Sequence, residues 1–481
     1  MKINGFTIII LSFSTYYTFS QNYDNNILIG DYIPGETKPF IVSVIDSQAF
    51  FNVQNGIKIS LYYPKTSAND STGNLIFYTD GLNIYGKDNL LMQNGANINP
   101  GTWRNYCVID GVNYKTLYAP QFIPFPGHPD EYILFHMGVY FDSLLTEWHY
   151  GPLYYSRINM LNNNGHGGAV EKNVFLLNDI HLANFALCKH GNGRDWWLLT
   201  RENNDDRYFT FLIDPEGIHG PFIREISSPI KRGNGFLDIF SKDGKYYIES
   251  NDFVVKIYSF DRCNGILSWK TDYILPNTLT YISSVVQTSS DSKYLYLGWL
   301  DRLFQLPIVQ VNETEIARPL APLNISNDSV LTAKIGFSII TSNNEFYILS
   351  GNGTQLIHKI NNPNLPGLSC DFEEDAFRLS NKVWGFTPVY PNYRLSKDVG
   401  SGCDTLQFHN VNYQMKKIDA SFASTSINKS TGGKSRLALL GKANYIEYMK
   451  KKNKGVKSIK SLIDEMEVER KIFYELKKEE K

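Results

Sequence analysis

Along this chain, short runs of aromatic and β-branched residues are set between polar turns, and the unit recurs six times. The runs open at Gly73-Asn74-Leu75, Asp130-Glu131-Tyr132, Arg194-Asp195-Trp196, Asp243-Gly244-Lys245-Tyr246, Asp291-Ser292-Lys293-Tyr294 and Asn343-Asn344-Glu345-Phe346. Their first apolar residues, at 75, 132, 196, 246, 294 and 346, lie 57, 64, 50, 48 and 52 residues apart. A period of that length, with strands and no helical segments between, is what a four-stranded blade of a β-propeller requires. The expected fold is therefore all-β, a β-propeller.

Within each unit a second strand follows, as in Tyr208-Phe209-Thr210-Phe211-Leu212-Ile213 and Val254-Val255-Lys256-Ile257-Tyr258. It ends in a turn such as Asp214-Pro215-Glu216-Gly217, whose residue types tolerate a tight hairpin reversal. Consecutive apolar residues, as in Trp196-Trp197-Leu198-Leu199, suit strands buried on both faces between neighbouring blades. Both tryptophans are expected to pack between blades. Earlier segments, Phe40-Ile41-Val42-Ser43-Val44 and Ile57 to Tyr62, also read as strands. Together with Val383-Trp384-Gly385-Phe386-Thr387-Pro388-Val389-Tyr390 they favour a seventh blade over six, with the ring closed by pairing of its two ends.

The first twenty residues combine Lys2, an apolar run from Phe6 to Phe13 and small residues before Gln21, which fits a cleavable export signal and is too short for a permanent span. The expected organisation is a signal peptide at 1–20, a propeller at 21–410, a linker at 411–434 and a charged helical tail at 435–481. Ile459, Leu462, Ile463, Met466 and Phe473 share one face of that tail at helical spacing. From Lys434 onward there are 14 Lys and Arg against 8 Asp and Glu, so residues 434–481 carry +6 and the rest, at a total of −1, carries −7. A neutral-to-acidic propeller gives no electrostatic reason to bind nucleic acid.

Five cysteines, Cys107, Cys188, Cys263, Cys370 and Cys403, form no C-x-x-C pair. Cys370 and Cys403 sit in Gly- and Asp-rich loops, which leaves a loop-tying disulfide open between them. His128, His136 and His149 are the nearest to a histidine cluster, without a metal-ligand spacing, and His166 lies in a glycine-rich loop. There is no G-x-S-x-G, and Gly432-Gly433-Lys434-Ser435 lacks the context of a phosphate loop. Asp80, Glu202, Asp205, Asp206, Asp252 and Asp301 follow the repeat strands, where turns select acids anyway. No catalytic, cofactor or metal residue is assigned.

The stretches Gly73-Asn74-Leu75-Ile76-Phe77-Tyr78-Thr79-Asp80-Gly81, Lys189-His190-Gly191-Asn192-Gly193-Arg194-Asp195-Trp196-Trp197, Phe260-Asp261-Arg262-Cys263-Asn264-Gly265 and Pro391-Asn392-Tyr393-Arg394-Leu395 resemble the WD-repeat-like β-propeller proteins exported by Bacteroidota. Ser241-Lys242-Asp243-Gly244-Lys245 resembles the turn of TolB-type repeats. The resemblance covers roughly residues 25 to 410 and implies binding more than catalysis. Members commonly end in a β-sandwich sorting domain, and this chain departs from that. The expectation is an exported, non-catalytic binding or scaffold propeller whose partner is another envelope or extracellular protein, or a glycan. The alternative is a propeller hydrolase, glycosidase or lactonase-like, using channel carboxylates and a calcium ion.

Overall fold

In the computed structural model the described residues are 21–29, 40–45, 48–53, 56–57, 65–110, 119–142, 147–177, 182–202, 206–227, 235–251, 254–274, 285–299, 302–309, 318–322, 335–341, 343–350, 354–383 and 389–404. The expected signal peptide, linker and charged tail lie outside them.

Seven blades follow one another in chain order, each an antiparallel meander. The first blade contributes three described strands, Asn26–Ile29, Phe40–Ile45 and Gln48–Val53. Blade two holds Thr66–Asn69, Leu75–Thr79, Asn83–Gly86 and Leu91–Ala96. Blade three holds Gln121–Pro124, Glu131–Asp142, Glu147–Asn159 and Gly168–Leu177, and its last strand makes one parallel bridge, Gly168 to Gln93, with blade two. Blade four holds Leu182–Lys189, Trp196–Glu202, Arg207–Asp214 and Gly217–Glu225. Blade five holds Gly235–Phe240, Tyr246–Asn251, Val254–Asp261 and Ile266–Ile274. Blades six and seven run from Val285–Thr288 to Arg318–Pro322 and from Ile335–Ile340 to Phe372–Val383. All six repeat openings begin the second strand of a blade. One departure from expectation is the helix Thr102–Asp110, which lies in the connection from blade two to blade three and interrupts no sheet.

The turn between first and second strands explains the repeat. In blade five Ser241 Oγ donates to Asp243 Oδ1 (2.6 Å) and accepts from the Tyr246 amide (3.0 Å), while Asp243 Oδ1 accepts from the Lys245 amide (3.0 Å). Ser289 and Asp291 repeat this in blade six, at 2.7 Å, with the amides of Tyr294 and Lys293. The fourth residue of the turn is left-handed: Gly244 at φ +70°, Ser292 at +59°, Asn344 at +66°. Glycine, and short polar side chains, adopt that region at least cost. These turns all lie on one face of the ring.

Packing between blades buries the apolar runs. Trp197 is fully buried with Ala186, Cys188, Tyr208, Tyr247 and Tyr258, between blades four and five. Its indole N–H donates to the Arg262 carbonyl at 2.7 Å. Trp196 points the other way, edge-on to Tyr393 at 5.6 Å. Both tryptophans thus join blades, as expected from the sequence. The ring closes by packing as well: Ile27, Ile29, Phe40 and Val42 of blade one meet Ile339, Tyr347, Leu349 and Ile357 of blade seven. On its other side Leu28 and Ile41 meet Tyr78 of blade two.

Asn26, which begins blade one, bonds Asn69 and Gly73 at the turn face, so this strand runs away from that face, as the second strands of other blades do. End-to-end strand pairing is not seen among the described residues. Of the segment expected to supply a closing strand, Val383 ends the last strand of blade seven, 384–388 lie outside the described residues, and Val389 and Tyr390 belong to a plug. Of the early segment at 57–62, only Ile57 is described, and it is buried outside a strand.

That plug, residues 389–404, crosses the turn face. Tyr390 Oη meets Ser67 Oγ at 2.8 Å, Asn392 donates to the Lys242 carbonyl at 2.6 Å, and Tyr393 Oη donates to the Phe122 carbonyl at 2.6 Å. Tyr393 is fully buried among Phe122, Tyr23 and Trp196. A disulfide, Cys263 to Cys403, fastens the end of the plug to the outer turn of blade five. The bridge left open between Cys370 and Cys403 is not formed: Cys370 is a buried free thiol, packed with Tyr296 and Phe346, and the partner of Cys403 is Cys263. Gly191 makes the approach feasible, since a Cβ there would stand 2.4 Å from the Cys403 sulfur.

Candidate active site

Asp80 and Lys65 meet at the end of blade two opposite the plug. Asp80 closes the second strand of that blade in an Asx turn, its Oδ1 accepting from the amides of Leu82 (2.8 Å) and Asn83 (2.7 Å). Lys65, just before the innermost strand, is buried at 2 % exposure and donates from Nζ to the Asp80 carbonyl at 2.6 Å. Burial pushes the Asp80 carboxyl up, against the pull of Lys65. Burial lowers the lysine to about 8, against Asp80 and the nearby Cys107. Burial thus displaces acid and amine towards one another, and perturbed groups of this kind cluster at functional sites. Asp80 is partly exposed as a residue. Leu82, Cys107 and Val139 pack beside it, with Trp103 of the helix.

A second constellation has the connectivity of a nucleophilic triad. Asn99 Nδ2 donates to the Gly81 carbonyl (3.0 Å), which turns Asn99 Oδ1 towards His136 Nδ1 (2.7 Å). Nδ1 therefore carries the proton, and Nε2 accepts from Ser156 Oγ at 2.9 Å. Ser156 Oγ in turn accepts from the Asn173 amide at 3.2 Å. Burial lowers His136 to about 3, so it is neutral. Ser156 and His136 have no exposed surface, and no substrate could reach the hydroxyl. The network instead ties the loop after Ala96 onto blade three.

Between blades four and five, Arg201 lies buried 3.5 Å from Asp238 and 3.4 Å from Glu249. Burial works against its charge, but Glu249 and Asp238 outweigh that and raise its pKa. Tyr208 donates to Glu249 and Tyr247 to Asp238. Lys256 and Asp272, 3.4 Å apart and equally buried, continue the array. In a charge network this dry, removing one partner leaves an uncompensated buried charge and is strongly destabilising.

Of the acids read from the sequence that fall among the described residues, only Asp80 acquires such surroundings. Glu202 pairs with Arg207. Asp206 is described, whereas Asp205, Asp252 and Asp301 lie outside the described residues. His128 stacks on Phe125 at 4.1 Å and bonds the Pro215 carbonyl, and His166 meets Asp88 on the surface. His136 and His149 sit on adjoining strands of blade three, and among the described residues no three metal-binding side chains cluster. Lys65 was invisible in the sequence because a lone lysine before a strand carries no signal.

No family model matches the chain, and no curated protein matches it. Among solved structures it is similar to a protein described as a 6-phosphogluconolactonase from Bacteroides uniformis, with 13 % identity, TM-score 0.37 and coverage of 74 % of this chain and 98 % of that one. It is also similar to the periplasmic gluconolactonase PpgL of Pseudomonas aeruginosa, at 10 % identity and TM-score 0.36, covering 76 % and 97 %. The virginiamycin B lyase of Staphylococcus aureus gives 11 % identity and TM-score 0.33, covering 74 % and 87 %. The expectation of a non-catalytic scaffold is corrected beside these propellers, two of which are described as lactonases. Of the two readings of the sequence, the hydrolase is the one carried forward. Among the described residues no helix is long and apolar enough to cross a membrane.

Proposed function

We propose that this chain is a hydrolase of the lactonase kind, acting on a small cyclic ester at the face opposite the plug. The observation that carries this reading is the pairing of Asp80 with Lys65: a carboxyl of raised pKa on a partly exposed residue, backed by a buried amine. Asp80 takes a proton from the attacking water as the water oxygen bonds to the acyl carbon. The ring C–O bond then breaks, and Asp80 returns the proton to the departing ring oxygen, leaving an open-chain hydroxy acid. Lys65 is a positioning residue that anchors the Asp80 main chain and keeps a cation behind the carboxylate. The leader-like first twenty residues support action outside the cytoplasm, in an exported propeller of the kind Bacteroidota make.

Acid release from a panel of five- and six-membered aldonolactones, followed by pH-stat, tests the reading. The unmodified chain is expected to hydrolyse at least one of them, and Asp80→Asn to lower kcat/KM by about 10² to 10⁴. Lys65→Met is expected to move the acidic limb of the pH profile to higher pH, because the lysine holds the Asp80 pKa down. An inert chain, or an Asp80→Asn variant as active as the parent, overturns it.

A further inference from the structure

The plug leaves a cavity of about 30 Å³ at the floor of the channel, between the inner strands of four successive blades and residues Val389 to Asn392. That is room for a very few waters or one small ion. Lys189 and Lys242 both line it. Two arginines lie close behind. Arg262 is buried and spends its guanidinium on three carbonyls, those of Lys189 (3.0 Å), His190 (3.2 Å) and Ser396 (2.7 Å). Arg394 pairs with Asp24 at 2.6 Å. Lys189 donates to the neutral Gln21 Oε1 and lies 5.5 Å from the centre of the Trp196 ring.

Four cations therefore converge on the floor, and among the described residues Asp24 is the one carboxylate bonded to any of them. Two acids in the neighbouring turns bond other groups: Asp195 is held by Arg194 and Asn192, Asp243 by Ser241 and the Lys245 amide. Buried charge of one sign is costly unless a counter-charge is supplied.

We propose that this cavity binds a small monovalent anion of halide size beside Lys189 and Lys242, which neutralises the floor and seats the plug. In support, burial, Arg262 and Arg394 together lower Lys189 to about 7. Burial and Arg394 likewise lower Lys242, against Asp24. A bound anion would restore both charges. The inference is independent of the hydrolase reading, since the cavity and Asp80 occupy opposite faces.

The test uses the full chain. Melting is followed while chloride or bromide replaces a large organic anion, isethionate, at constant ionic strength. Specific binding to the folded state is expected to raise the melting temperature by about 3 °C over a hundredfold halide range above the dissociation constant. Lys242→Met is expected to abolish that rise. Crystals grown in bromide should show an anomalous peak in the cavity, which decides the matter even where the variant does not fold. Water alone in the cavity, or equal melting in halide and isethionate, overturns the proposal.

Discussion

Arg394 and Asp24 stand 370 residues apart in the chain and 2.6 Å apart in space, with a second Arg394 contact to Asn22 at 3.3 Å. The pair binds the segment ahead of blade one to the plug that follows blade seven, so the ring is held by its ends through side chains. Asp24 is nearly buried and Arg394 partly exposed, which places the pair between the strong interior and weak surface regimes. Arg394→Met is expected to cost about 1–2 kcal/mol, read by denaturant unfolding. An unchanged midpoint would mean that the plug is held without it.

The Cys263–Cys403 disulfide spans 140 residues, and in the chain-entropy account a loop of that size restricts the unfolded state strongly. Replacing both cysteines with serine is expected to lower stability by about 4 kcal/mol while blades two to seven stay folded. Protease cleavage of the parent and the double variant separates the two effects: new cuts confined to 389–404 are expected, and cuts throughout the blades would show that the bridge holds the whole ring.

How much of this was legible in the sequence depends on the range of the interaction. The blade turns are local: Ser241 bonds Asp243 and Tyr246 within six residues, so the pattern is written in the sequence and the architecture follows from it. Trp196 and Trp197 could be placed between blades because a strand with no polar alternation has nowhere else to put them. The plug could not be seen. Pro391 to Leu395 carries the family resemblance, yet its partners, Lys242, Phe122 and Asp24, are scattered over the chain and share no spacing. The same holds for the pairing of Cys403, which depends on the outer turn of blade five lying beneath the plug. In the sequence Asp80 is one of six acids at strand ends, none of them assigned a role. The fold sets it apart by bringing Lys65 behind it.

Trp196 is 1 % exposed and touches Tyr393 of the plug, with Lys189 5.5 Å from the ring centre. Trp196→Ala removes a large buried side chain where blade and plug meet, at an expected cost of about 3–5 kcal/mol. Trp196→Phe keeps the edge-on contact with Tyr393 and is expected to recover more than half of the loss. Thermal unfolding of both variants checks this, and a near-neutral alanine variant would show that the indole packs against nothing.

His136 gives the fold an acid limit. Its pKa is about 3 in the folded protein, lowered by burial from the ordinary 6.5, so between those values the unfolded chain binds a proton that the folded chain refuses. The unfolded state then holds more protons, and stability rises with pH across that window, being fully present above pH 6.5 and progressively lost as pH falls towards 3. The slope due to this one residue approaches about 1.4 kcal/mol per pH unit in the middle of the window. The physical reason is burial, which leaves a charged ring without water, and protonation at Nε2 would also require the Ser156 hydroxyl to turn from donor to acceptor. Replacement of His136 by Gln offers an amide in place of the ring and does not titrate, so His136→Gln is expected to be less stable than the parent at pH 7 but to lose stability more slowly between pH 6 and 4. Urea unfolding at a series of pH values reads both quantities, and parallel curves for parent and variant would place the acid sensitivity of this propeller elsewhere.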